Sequence, residues 1–447
     1  MTKIRIAGRF KRKGLKYLAK EESVKAKFLS LNPFVSNLDL DLADVAASLF
    51  LCEGLKNRGE LTLDDWIRFS VNRFDAWNRP EVKLLIQDIL SFMVKARPSI
   101  RFKAAQRERR PRKREAPERK ESVTLFSGGV DSLSGILNVQ KGYGSTSGVF
   151  VNHGNISSIV ENLQETTLGG YGINVFQVDI QRSRAAGIQQ LRGFVYLVYG
   201  AIVARILETN KIFISESGPV MYQPLFIPTD LVTLTTHPTL ILLSKELFRE
   251  LYNIKFQFYE PFEDLTKAEV VSLCPEPDVI RSTNSCVTTR FAYSSYSHCG
   301  TCYGCLVRRL SCLVAGVMDA KYGRDVLVQD VNERSRGGWR GRISSSSLAD
   351  LMLLLRFARD VLEDELADYT ASKIIQFNKE ELFQRFALDI ISGVYILYDK
   401  EKVGRNTYVK HFLEECMRHK VVSRDMLENR VAEVREKKYK PNFDYKL

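Results

Sequence analysis

The sequence predicts an α/β protein: a doubly wound parallel sheet of about five strands, a small N-terminal α+β module and a helical C-terminal module. Three observations carry this. Between residues 121 and 336, short apolar runs alternate with stretches of helical periodicity, the pattern of repeated β-α-β units. From Arg107 to Lys120 the chain has eight basic and three acidic residues and two prolines, a linker composition. Beyond about Gly337 the apolar spacing is helical. The expected divisions are residues 1–105, a basic linker 106–120, 121–336 and 337–447.

Taken in order, Asp41 to Lys56 reads as an amphipathic helix ending near Gly59, and Trp66 to Val71 alternates like a strand. Asn78-Arg79-Pro80 marks a helix running to about Val94, with Asn78 as cap and proline in the first turn. Ile100 to Lys103 suits another strand. Past the linker, Ser122 to Phe126 is the first strand of the sheet, with a helix from about Ser132. Gly148 to Val151 is the second, with a helix after Asn155. Asn174 to Val178 is the third, followed by a long helix from Gln189 to Leu207. Lys211 to Ser215 is the fourth, with a helix from Pro238 to Leu251. Lys255 to Phe258 is the fifth, with a short helix from Thr266. Ser346 to Leu362, Lys379 to Tyr398 and Val409 to Arg418 are the helices of the C-terminal module. Gly142-Tyr143-Gly144 reads as a turn.

Composition bounds the class. The chain has 447 residues, 45% hydrophobic and 27% charged, which excludes a wholly disordered chain, a collagen-like repeat and a small disulfide scaffold. No run reaches the roughly 20 apolar residues of a membrane helix. The richest, Phe194 to Leu207, carries Arg205. Met1-Thr2-Lys3-Ile4-Arg5 lacks the apolar core of a signal peptide. The expectation is a cytoplasmic protein without membrane contact, whose clustered cysteines bind metal. The net charge of +13 favours an acidic partner, whether nucleotide, nucleic acid or protein. No aromatic residues interleave with the linker charges, so the linker is expected to be a solvated tether.

Ser127-Gly128-Gly129-Val130-Asp131-Ser132 follows the first strand of the sheet and opens a helix. Consecutive glycines let the backbone turn tightly and approach a ligand. Backbone N–H groups and the helix N-terminus then make an anion site, and Ser127 and Ser132 can donate to phosphate oxygens. Asp131 alone would repel phosphate, so it is expected to hold Mg2+ or to help start the helix. No Walker-type Gly-x4-Gly-Lys-Ser/Thr string occurs. In an open α/β sheet, ligands sit beyond the carboxyl ends of the strands. Glu216, after the fourth strand, is placed there.

Cys299, Cys302 and Cys305 lie at two-residue spacings, with twelve residues between Cys286 and Cys299. Such knuckles set sulfurs at tetrahedral spacing, and a structural zinc is the expected occupant. An iron–sulfur cluster or thiol chemistry is the alternative. His298 is a possible substitute ligand. Cys52, Cys312 and Cys416 are expected in the core, with Cys274 a spare thiol.

The Ser-Gly-Gly-x-Asp-Ser string resembles the loop of the PP-loop ATP pyrophosphatases, which have an adenine nucleotide α-hydrolase-like fold. Together with the cysteine cluster it resembles QueC, the 7-cyano-7-deazaguanine synthase family. The likeness covers roughly residues 121 to 321. It includes Leu191-Arg192-Gly193-Phe194, where the family has Arg-Asn, and Leu265-Thr266-Lys267-Ala268-Glu269-Val270. Thr283-Asn284-Ser285-Cys286 and Cys305-Leu306-Val307-Arg308 complete it. The gap from Cys286 to Cys299 is longer than the family's, and the flanking regions are extra. Glu216-Ser217-Gly218, Thr233 to Pro238 and Leu125-Phe126 look more like the long QueC-like proteins of bacterial anti-phage systems, such as QatC.

The resemblance implies ATP, Mg2+ and zinc as cofactors and adenylation of 7-carboxy-7-deazaguanine or a similar acid. Ammonia, or an amine of a partner protein, would then attack. It implies Asp131, Lys267 and Arg192 as catalytic residues. Ser127, Gly128, Gly129, Val130, Asp131, Ser132, His153 and Asn155 would bind ATP. Glu216, Thr236 and His237 would bind the deazapurine substrate. The basic flanking modules fit docking of a partner protein, or of nucleic acid. A tRNA-modifying PP-loop enzyme and a nucleotide-sensing defence scaffold are the competing readings.

Overall fold

The computed structural model describes residues 27–28, 35–57, 66–95, 97–105, 118–152, 156–179, 190–222, 234–286, 298–329, 345–363, 379–400 and 404–444. The expected linker lies mostly outside them, as do His153 and Asn155.

A two-residue strand β1 (Lys27–Phe28) comes first, too short to show any periodicity in sequence. Helix α1 (Asn37–Asn57) starts a turn before the expected Asp41. The reason is a reciprocal cap: Ser36 N donates to Asp39 at 2.6 Å, and Asp39 N donates to the Ser36 hydroxyl at 3.2 Å. Strands β2 (Trp66–Val71) and β3 (Ser99–Ala104) pair in parallel. Between them lie α2 (Phe74–Trp77) and α3 (Pro80–Val94). Asn78 does not cap α3. Its N–H closes α2 on Phe74 O, which leaves Arg79 as the α3 N-cap, with no side-chain capping bond.

The sheet follows, as β4 (Ser122–Leu125), β5 (Thr146–Asn152), β6 (Val175–Asp179), β7 (Lys211–Phe213) and β8 (Gln257–Tyr259). These five strands are parallel, in the order β6-β5-β4-β7-β8, and β1 adds antiparallel to β6. Strand order therefore reverses between β4 and β7, where such sheets open a crevice at their carboxyl ends.

Helices α4 (Val130–Gly142) and α5 (Ser157–Thr166) cover one face, with Leu133, Ile136 and Leu163 against Phe150. The other face meets α6 (Arg192–Ile206) and α8 (Pro238–Tyr252). Helix α6 is apolar almost all round because it lies between the sheet and α1. Each of its fully buried large apolar side chains contributes about 1.5–3 kcal/mol. Buried residues of α1, β2, α3 and β3 join the same cluster, so the N-terminal residues share one core with the sheet.

The short helices α7 (Gly218–Tyr222) and α9 (Lys267–Ser272) follow β7 and β8. Helix α10 (Tyr303–Ala315) leaves the cysteine cluster and packs on the C-terminal helices. Those are α11 (Ser345–Leu362), α12 (Glu380–Tyr395), α13 (Thr407–Arg418) and α14 (Arg424–Arg435). The last was not expected. Its buried stripe is Leu427, Arg430, Val431 and Val434, and the arginine hides the apolar period. Cys274, Cys312 and Cys416 are buried in apolar clusters. No described helix is long and apolar enough to cross a membrane.

Candidate functional site

The loop after β4 leaves Gly128 in the left-handed region at φ 76°, where a Cβ would also come within 3.0 Å of Val160. Gly129 is the N-cap of α4. The helix thus begins at Val130, two residues before the expected Ser132, and Val130, Asp131 and Ser132 form its first turn. The hydroxyls brace the loop. Ser127 Oγ donates to Ser132 Oγ at 3.2 Å, and Ser132 Oγ donates to Gly129 O at 3.1 Å.

Asp131 is nearly buried. Its Oδ1 accepts from Lys267 Nζ at 2.8 Å. Its Oδ2 accepts from the Ser217 amide at 3.3 Å and the Ser217 hydroxyl at 3.1 Å. Lys267 opens α9, whose start is set by a capping box between Thr266 and Glu269. Glu216 lies beside Asp131. Burial first, then the Asp131 carboxylate, pushes the Glu216 carboxyl up to about 7, against the pull of Lys267 and Arg192. Two acids and two bases from four separated segments thus converge at the strand reversal. Lys267 and Asp131 neutralise each other here. A phosphate on Lys267 and a Mg2+ on Asp131 would therefore each require this pair to open.

Arg192 begins α6, with Glu53 of α1 beneath it. Both Glu53 oxygens accept backbone amides, from Gln190 and, at 2.9 Å, from Leu191. That caps the helix that carries Arg192. A Cβ on Gly193 would lie 2.0 Å from Thr235 O. Glycine here lets the segment before α8 lie on the α6 start, which accounts for its place in the Arg-Gly pair. Thr236 Oγ1 is buried there with no hydrogen-bond partner. His237 is the N-cap of α8: its Nδ1 accepts from Thr239 N at 3.2 Å and its ring packs on Phe92. Its place is that of a loop-fixing residue.

The thiols of Cys286, Cys299, Cys302 and Cys305 are buried and lie within 4.8 Å of one another. Cys299 Sγ and Cys305 Sγ are 3.7 Å apart. Bond lengths of about 2.3 Å to a tetrahedral zinc place sulfurs about 3.8 Å apart. The donor set and spacing therefore fit a metal ion. His298 turns Nε2 to the Ser285 amide at 3.2 Å, and the described cluster consists of cysteines alone.

The two centres are joined. Asn284 N donates to Gly128 O at 2.9 Å, and its Oδ1 accepts from Cys286 N at 2.7 Å. Arg308, fully buried, clamps this segment to α10 through Thr283 Oγ1 and Ile280 O, both at 2.7 Å. Tyr303, next to Cys302, borders the Asp131 cluster: burial and the Asp131 charge both push its hydroxyl pKa up. Sequence reasoning missed Ser217, Tyr303 and Glu53. Ser217 lies within the Glu216-Ser217-Gly218 string and Tyr303 follows Cys302, yet neither was given a role, and nothing local marks Glu53. Searches against protein families and against curated proteins found no match to this chain.

Proposed function

We propose that the chain is a PP-loop, QueC-like ligase that activates a 7-deazaguanine carboxylic acid with ATP. The observation that carries this reading is the gathering of Asp131, Lys267, Glu216 and Arg192 beside the Ser127–Ser132 loop. A carboxylate is a poor electrophile. Its oxygen attacks the α-phosphorus of ATP, the bond to the β-phosphate oxygen breaks, and pyrophosphate leaves. An amine then attacks the acyl carbon, AMP leaves with the original carboxylate oxygen, and the amine gives up a proton. Ammonia yields the amide, which a second ATP dehydrates to the nitrile; a protein amine yields a conjugate.

The loop amides and the α4 N-terminus would hold phosphate oxygens. Lys267 and Arg192 would face the charge that grows on the α-phosphate. Asp131 is the residue for Mg2+, which would supply further charge neutralisation. Half-buried Glu216 would accept hydrogen bonds from the amidine edge of the deazaguanine, and the unpartnered Thr236 hydroxyl would serve the same pocket. Zinc on the four thiols would hold the Asn284 segment against the loop.

Pyrophosphate release from MgATP, with and without 7-carboxy-7-deazaguanine, tests the reading. Release that depends on the acid supports it. A metal-loaded, folded sample that releases none with the acid, even with ammonia present, refutes this substrate class.

A further inference from the structure

Lys267 is held from behind by residues far away in sequence. Glu269, two positions on, is fully buried. Its Oε2 accepts from Thr266 N at 2.8 Å, the backbone that precedes Lys267. Its Oε1 accepts from Arg430 Nη2 at 2.6 Å and from Arg385 Nε at 3.0 Å. Both arginines belong to the C-terminal helices. Arg430 also donates to Asp389 at 2.8 Å, and Arg385 to Asp264 O at 2.6 Å, just ahead of α9. The cap of α9 is gripped on one side while Lys267 reaches out on the other to Asp131.

A buried guanidinium–carboxylate network is a poor way to gain stability, because desolvation offsets much of the attraction. It is a good way to fix geometry, because a planar guanidinium accepts few arrangements. We infer that Arg430 and Arg385 are positioning residues that set Lys267 against Asp131 through Glu269, which makes the C-terminal helices part of the nucleotide site. The functional side of this inference rests on reading Lys267 as a phosphate cation.

The test is trace acetylation of the full metal-loaded chain, reading Lys267 by mass spectrometry against exposed Lys103. Arg385→Gln should raise Lys267 labelling several-fold, with the unfolding temperature nearly unchanged, and Arg385→Lys should restore part of the protection. Arg430→Gln should give the larger rise; because it strands a buried acid and endangers folding, partly exposed Arg385 carries the test. Unchanged Lys267 labelling in folded Arg385→Gln overturns the inference, as does an equal rise at every lysine. MgATP binding by calorimetry should weaken in step with the labelling. A labelling rise in a chain that binds no MgATP supports the positioning and counts against the phosphate reading alone.

Discussion

Asp131 meets Lys267 on one oxygen and Ser217 on the other, with Glu216 beside it. Asparagine fits the same space but removes the charge that holds Lys267 and would hold Mg2+. Asp131→Asn should lower acid-dependent pyrophosphate release about 100-fold or more while metal content stays near wild type, with some fall in unfolding temperature because Lys267 loses its buried partner. Release at the wild-type rate would remove Asp131 from the chemistry. The loop and Asp131 stood out in sequence because glycines, a helix start and a charge stand at fixed offsets, whereas Lys267 was marked only by the resemblance. Glu53 was not. It is one acid on an amphipathic helix, and its value comes from amides well over a hundred residues away.

At the scale of elements, the four-cysteine cluster and the Ser127–Ser132 loop share a short link through Asn284. Cys302→Ser should cost both metal and folding, because ligand binding to metal and folding are coupled. A soluble, stable Cys302→Ser protein with its metal lost would argue against a structural centre. Mild chelation of the wild-type chain should also weaken MgATP binding, measured by calorimetry. The start of α6 offers a second test. Gly193→Ala forces Thr235 away and should cost about 1–3 kcal/mol in urea unfolding. The five parallel strands and the helices between them were visible as alternating periods. Helix α14 was not, because Arg430 occupies a position in its apolar stripe.

At the scale of the molecule, the C-terminal helices reach the site through buried charge, and one of those charges reports on pH. Burial pushes the Asp389 carboxyl up to about 6, beyond what Arg430 recovers. In the unfolded chain it ionises near 3.9. The folded state therefore holds this proton more tightly, so stability falls as pH rises from about 4 to 6 and the cost is fully present above that. The unfolding temperature of wild type minus that of Asp389→Asn should decline across this window. A difference that stays flat would mean that Arg430 keeps Asp389 ionised throughout. The basic linker gave no such information from sequence, since a charge run marks a solvated segment as readily as a docking arm.

The central claim is that this site activates a carboxylate. The direct measurement follows oxygen: 7-carboxy-7-deazaguanine labelled with oxygen-18 in its carboxylate, incubated with the chain, MgATP and ammonia. Adenylation predicts one labelled oxygen in the AMP released, at the rate of product formation. AMP without label, formed alongside product, would show that the carboxylate never bonds to the α-phosphate and would contradict the account.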